Sequence, residues 1–351
     1  MGVEEQAFNF TATGIGSVPF LEVDRTCRDI LRRLPRMPYW PQFIRKSPLE
    51  DMSIQYTEGL PSLSVDQGRR SVFISPETPR EEALVSFYES YLAEEVERFA
   101  ISETGACGLY RLLELLEKEE AVADSFIKGQ SVGPLTFAAG VLGPDGKPVL
   151  HDPELLEAMT KGLAIKALWQ VKRLSQCGRR PVLFFDEPYL SGFGSAFTPV
   201  SREQVIDCLS EVIAFLKKRS SALVGIHCCG NTDWAMIAEA KPDIINFDAF
   251  GYLDAFLLYP EALGRFLEQG GAIAWGVVPT SEFTGSESVD DLLERLKGGL
   301  DRVRQWGFSP EKIAACSLIT PSCGMGTMAP EAAARVLDLL SELSERCQKG
   351  L

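Results

Sequence analysis

The sequence has no apolar run approaching the roughly 18 residues that a helical membrane span requires. Its first residues, MGVEEQ, carry acids where a secretion signal carries basic residues followed by an apolar core. Both absences lead to the expectation of a cytoplasmic protein with no membrane partner. Basic residues are outnumbered too: 35 Lys and Arg against 49 Asp and Glu give a formal net charge of -14. Such a surface repels polyphosphate, which argues against nucleic acid and for small-molecule partners. Histidine is scarce, with His151 and His227 alone in 351 residues. The nine cysteines are odd in number and follow no framework spacing, so most of them read as inert core thiols rather than a disulfide scaffold. Also missing are an internal repeat, a linker, and the glycine fingerprint of a doubly wound dinucleotide fold.

What remains is an ordinary globular composition, 45% hydrophobic and 24% charged, with strands and helices alternating along nearly the whole chain. Strands are expected near Ile15, Val72, Ile127, Leu183, Val224, Ile245, Ile273 and Ala315. Helices are expected over Leu21 to Leu34, from Pro79 through the run to Ala100, over Leu109 to Glu119, Arg202 to Ser220, Val289 to Trp306, and Pro330 to Cys347. Asp152 and Pro153 have the order of an N-cap and a first helical residue, which starts a further helix ending about Cys177. The proline-rich and aromatic RMPYWPQF, residues 36 to 43, reads as an irregular packed loop. This alternation predicts one α/β domain over residues 1–351, a (βα)8 TIM barrel with its site at the C-terminal ends of the strands.

The chemistry concentrates in LVGIHCCG, residues 223 to 230, where a buried strand ends in soft metal ligands. Side chains alternate along a strand, so His227 and Cys229 face one way and Cys228 the other. Imidazole and thiolate together suit zinc, and three protein ligands with one position open make a catalytic site. An ordinary core thiol pair beside a strand-end histidine has the same local pattern, so the rest of the chain must decide. Asp248 ends the strand DIINFDAF, and Cys323 follows the last strand in TPSCGMGT. Asp186 and Glu187 leave the apolar strand PVLFFDEP, where acids either cap the next element or hold an ammonium group. In TATGIGSVPF, exposed backbone N–H groups and the Ser17 hydroxyl form a turn able to hold a carboxylate or phosphate. Gln55 and Glu58 stand in a loop able to cover a site, and Gln130 lies near the tip of SFIKGQSVGPLTF.

Taken together, HxC on one strand, an acid ending the next and the cysteine of TPSCGMGT resemble the zinc-binding pattern of the cobalamin-independent methionine synthase family. The GIGS turn, DEP after the strand at Leu183 and the closing helix are similar as well, so the resemblance covers most of the chain. It implies a (βα)8 barrel in which His227, Cys229 and Cys323 hold Zn2+, with Asp248 where the family has a glutamate ligand. It further implies that homocysteine is the substrate, with Ile15, Gly16 and Ser17 at its carboxylate, Asp186 at its ammonium and Glu58 as a second ammonium partner. Asp186 and Asp248 would then be the catalytic acids. Two departures stand out. The family's additional N-terminal barrel has no counterpart here, and GVVPT at 276 to 280 stands where the family has a histidine that helps protonate a folate leaving group. A methylcorrinoid, carried by a partner protein, is therefore the expected methyl donor. Three other readings stay open: corrinoid-dependent transfer to another thiol such as coenzyme M, a uroporphyrinogen decarboxylase-like barrel without methyl transfer, and a zinc-holding or corrinoid-binding protein without turnover. Arg25, Arg28, Arg32 and Arg33 have the helical spacing of a solvated face rather than of a propionate-binding loop.

Overall fold

Short, largely buried runs form the strands of this protein. A computed structural model describes residues 8–77, 79–118, 122, 125–196 and 198–350. The acidic start MGVEEQ and Glu119, the expected end of one helix, lie outside the described residues. In chain order the strands are β1 (Thr11–Ala12), β2 (Leu63–Asp66), β3 (Ser71–Ile74), β4 (Phe126–Val132), β5 (Val141–Leu142), β6 (Arg180–Asp186), β7 (Leu223–Cys228), β8 (Ile244–Phe247), β9 (Ala272–Val278) and β10 (Ser317–Pro321). Seven of them pair in parallel in the order β1-β10-β9-β8-β7-β6-β4, with helices in the crossovers. Every residue of β4, β7 and β9 is buried, as expected of a parallel sheet covered on both faces.

The longest crossover helix, Pro153–Leu174, starts as its sequence dictates. The Asp152 carboxylate accepts a hydrogen bond from the Leu155 N–H at 3.2 Å, and Pro153 takes the first helical position, where no N–H is needed. The helices Arg202–Arg219, Val289–Arg304 and Pro330–Gly350 likewise fall where the spacing of their apolar residues places them. Among the described residues, no helix is long and apolar enough to cross a membrane.

Two expectations about the barrel need correction. The strand at Val72 is not one of its walls: β3 pairs antiparallel with β2 and parallel with β5 in a separate three-stranded sheet. Its side chains alternate between half-buried and buried, the mark of a sheet with one wet face, whereas β4, β7 and β9 of the parallel sheet are buried throughout. The seven-stranded sheet is instead spanned from edge to edge by residues 36–42. Phe126 N–H donates to the Arg36 carbonyl at 2.7 Å, Lys128 N–H to Pro38 at 2.8 Å, and Trp40 N–H to Lys128 at 3.3 Å. On the other side Gln42 N–H donates to Gly16 at 3.0 Å, and Val18 N–H to Gln42 at 2.9 Å. Pro38 and Pro41 lack the N–H groups a regular ladder needs, so this segment bridges the gap without being a strand. Where eight regular strands were expected, the described residues form a seven-stranded parallel sheet with segment 36–42 hydrogen-bonded alongside it.

Gly108 locks that tie from outside. A Cβ there would overlap the Pro41 carbonyl oxygen and sit 3.1 Å from the Phe43 ring. Gly108→Ala is expected to cost about 1 to 3 kcal/mol of stability through overpacking, read as a lower midpoint in thermal unfolding. An unchanged midpoint would show that the segment is free to move.

Candidate metal centre

Parallel strands in register turn corresponding residues to the same side, so pairing decides which residues share the inner surface. Asp186 on β6 pairs with His227 on β7, and His227 pairs with Asn246 on β8. Asn246 then orients the imidazole. Its Nδ2 donates to the Ala274 carbonyl at 2.8 Å and lies 2.8 Å from Thr320 Oγ1, which leaves Oδ1 to face His227 Nδ1 at 2.6 Å. Nδ1 therefore carries the hydrogen, and Nε2 presents its lone pair. That Nε2 is buried and has no hydrogen-bond partner among the described residues. A buried acceptor left unpaired costs roughly 1 to 3 kcal/mol, an expense that a ligand at that atom removes.

Two sulfurs supply the surroundings. One ligand atom each from His227, Cys229 and Cys323 lie within 4.8 Å of one another, the only such group of three among the described residues. Cys229 follows β7 on the face of His227, and Cys323 follows β10 from the far end of the sheet. The Cys323 thiol holds the Cys229 thiol far below the usual range, while the Cys229 sulfur, aided by burial, pushes Cys323 up. By contrast, burial pushes the thiols of Cys27, Cys208, Cys228 and Cys347 up to about 12. Cys228 faces away, and its Sγ donates to the Gly230 carbonyl at 3.6 Å. Nitrogen and two sulfurs at this spacing fit a tetrahedral zinc, which takes nitrogen at roughly 2.0 Å and sulfur at roughly 2.3 Å, with one position left for a substrate.

The other expected residues divide. At the end of β6, Asp186 has a buried Oδ1 without a partner among the described residues; burial raises its pKa, and His227 and Lys128 oppose that shift. Glu187 beside it is a cap: its carboxylate accepts from Leu135 N–H at 2.9 Å, Thr136 N–H at 2.8 Å and the Thr136 hydroxyl at 2.6 Å, at the start of the helix Pro134–Gly140. The Ile15–Ser17 turn lies on the loop that carries Cys323, since the Ser17 carbonyl accepts from Met325 N–H at 3.0 Å and its hydroxyl from Gly326 N–H at 3.3 Å. Gly16 is required there, because a Cβ would come within 2.5 Å of Gln42 Oε1 and 2.9 Å of Gln130 Cδ. Asp248 is not within the group of three; its Oδ1 accepts from Gly251 N–H at 2.7 Å, and burial raises its pKa. Glu58 is exposed and committed elsewhere, accepting from Ser102 N–H and the Ser102 hydroxyl at 2.6 Å each.

Sequence reasoning passed over Asn246, Thr320 and Lys128. Asn246 had a signal: it is the polar residue inside an apolar strand, two positions before Asp248 and hence on the same face. Groups that orient a ligating imidazole tune metal affinity by about 10- to 100-fold. Asn246→Ala is expected to weaken zinc binding by that factor with the fold retained, as measured by chelator competition. Unaltered affinity would show that the imidazole needs no such support.

In fold, the chain is similar to solved structures of B12-independent methionine synthases. It is similar to a B12-independent methionine synthase from Shewanella sp. W3-18-1, solved in complex with selenomethionine, at 14% identity over 97% of this chain and 98% of that one, with a TM-score of 0.58. A putative vitamin-B12 independent methionine synthase from Listeria monocytogenes is similar at 16% identity over 93% of this chain and 85% of that one, with a TM-score of 0.52. At such identities the likeness is one of fold. No protein-family model matches the sequence, and no curated protein does.

Proposed function

We propose that this protein is a zinc-dependent methyltransferase that moves a methyl group onto the thiol of homocysteine to give methionine. The observation that carries this reading is the convergence of His227, Cys229 and Cys323 beside an Asp186 oxygen that lacks a partner among the described residues. Zinc bound there would supply Lewis acidity that keeps a substrate thiol deprotonated at neutral pH. The chain's own residues do the rest. Cys229 and Cys323 give a sulfur-rich, electron-donating ligand set, and Asn246 keeps the imidazole in one tautomer. Asp186 would hold the substrate ammonium, and the N–H groups around Ile15, Gly16 and Ser17 its carboxylate, so that the sulfur meets the methyl group in line. The thiol loses its proton to solvent, a sulfur–carbon bond forms, and the electron pair of the broken donor–carbon bond stays with the donor. Asp248 is assigned a place around this centre rather than within the group of three. The same reading takes residues 1–351 as one cytoplasmic (βα)8 domain, with segment 36–42 as its irregular eighth wall. That two solved proteins of this fold bear the name methionine synthase, one of them holding selenomethionine, supports the choice of acceptor.

The donor is read from the rim after β9. There Thr280 N–H donates to the Ser322 hydroxyl at 3.1 Å, and no imidazole stands nearby in the sequence 276 to 280. His151 is exposed, in a short turn before the helix Pro153–Leu174. A leaving folate nitrogen needs a proton, whereas a cobalt leaving group does not, which favours a methylcorrinoid. Coenzyme M fits less well, because its sulfonate leaves the Asp186 oxygen unpaired. A propionate-binding loop is opposed by Arg28 and Arg32, which pair with Asp24 at 3.0 Å and Asp29 at 2.9 Å on an exposed helix face. The test is a matrix of homocysteine or coenzyme M with methylcobalamin or methyl-tetrahydrofolate. Methionine is expected from homocysteine and methylcobalamin. Turnover with methyl-tetrahydrofolate and none with methylcobalamin would overturn the donor, and a preference for coenzyme M would overturn the acceptor.

A further inference from the structure

An ammonium group lies in the interior of the sheet with no ion pair to any described residue. Lys128, on β4, is fully buried. Its Nζ donates to the Ile15 carbonyl and to Gln130 Oε1 at 3.3 Å, and it lies 4.9 Å from the centre of the Phe184 ring. Burying a cation without a bonded counter-ion is costly, and holding one carbonyl does not require a charge, since a neutral amide would do. Its nearest opposite charge is on the neighbouring strand. Val132 pairs with Asp186, and Lys128 stands four residues before Val132, so both side chains belong to the same face at different depths. Burial pulls the Lys128 pKa down while Asp186 opposes the shift, and Asp186 in turn feels Lys128.

Lys128 and Asp186 thus place a basic and an acidic group on the same face, and the basic one is bonded to the Ile15–Ser17 turn. A zwitterionic amino acid has the complementary pair of charges. We infer that Lys128 sets specificity: its charge behind the Ile15–Ser17 turn makes the site select thiols and thioethers that bear both ammonium and carboxylate over those that bear ammonium alone. This inference rests on the amino-acid reading of the site given above.

Because it concerns recognition, it can be tested without a methyl donor, by calorimetric titration with methionine and with 3-(methylthio)propylamine, which is methionine without its carboxylate. The wild-type protein is expected to prefer methionine by about 100-fold, the scale of one charge-assisted contact. Lys128→Gln and Lys128→Met should bring that ratio below about 10 by weakening methionine alone, with zinc content unchanged. Lys128→Gln keeps a hydrogen-bonding group for Ile15 and serves if Lys128→Met does not fold. Equal loss of both ligands, with the ratio preserved, would mean that Lys128 merely supports the turn and would overturn the inference. So would a wild-type protein that binds the two alike. If the wild type binds neither, the amino-acid reading itself fails.

Discussion

Cys229→Ser is expected to leave a folded protein that no longer retains zinc and whose methyl transfer to homocysteine has fallen by a factor of at least ~1000, because a Lewis-acid contribution of several kcal/mol is lost. Cys323→Ser should behave alike, although that residue stands almost a hundred positions away and on another strand. Both sulfurs belong to the group within 4.8 Å, and serine is too weak a ligand to replace either. Cys228→Ser is the control. Its sulfur faces away and donates to the Gly230 carbonyl at 3.6 Å, so zinc content should not change. Metal analysis of the three variants, alongside circular dichroism, separates loss of the ion from loss of the fold. Zinc retained at full stoichiometry in Cys229→Ser would contradict the assignment.

The second large effect falls on affinity rather than on the metal. Asp186→Asn keeps the shape of the side chain and removes its charge, so the KM for homocysteine should rise by about 10- to 100-fold, the worth of a hydrogen bond to a charged group. The kcat should move less, and zinc should stay, because the aspartate is expected to hold the far end of the substrate. Glu187→Gln, one residue on, should do the reverse: its carboxylate holds three donors at the start of the helix Pro134–Gly140, so stability falls and KM does not. Steady-state kinetics with thermal unfolding on both variants checks the contrast. An unchanged KM in Asp186→Asn would remove the ammonium site from the account.

Much of this was legible from local rules. Asp152 and Pro153 announce a helix because one supplies a missing acceptor and the other lacks a donor, and nothing distant is needed to see it. That His227, Cys229 and Cys323 come together follows from strand alternation plus the tendency of parallel strands to gather their ends on one rim. What escaped depended on contacts between distant segments. Residues 36–42 have the composition of a loop, and only the edges of the finished sheet give their backbone groups partners. Val72 lies in a true strand, yet nothing local says which sheet it joins. Glu58 enters through the family resemblance alone, and nothing local to its loop announces that its carboxylate bonds Ser102. Lys128 and Asn246 are buried polar residues inside strands, where a rule that treats strands as walls rather than as sources of chemistry passes over them.

Zinc K-edge X-ray absorption on the purified protein, with and without homocysteine, addresses the central claim most directly. The expected result is about one zinc per chain, ligated by one imidazole nitrogen, two sulfurs and one light atom, with homocysteine raising the sulfur count from two to three. A zinc-free protein, or a sulfur count that stays the same at saturating homocysteine, would contradict it.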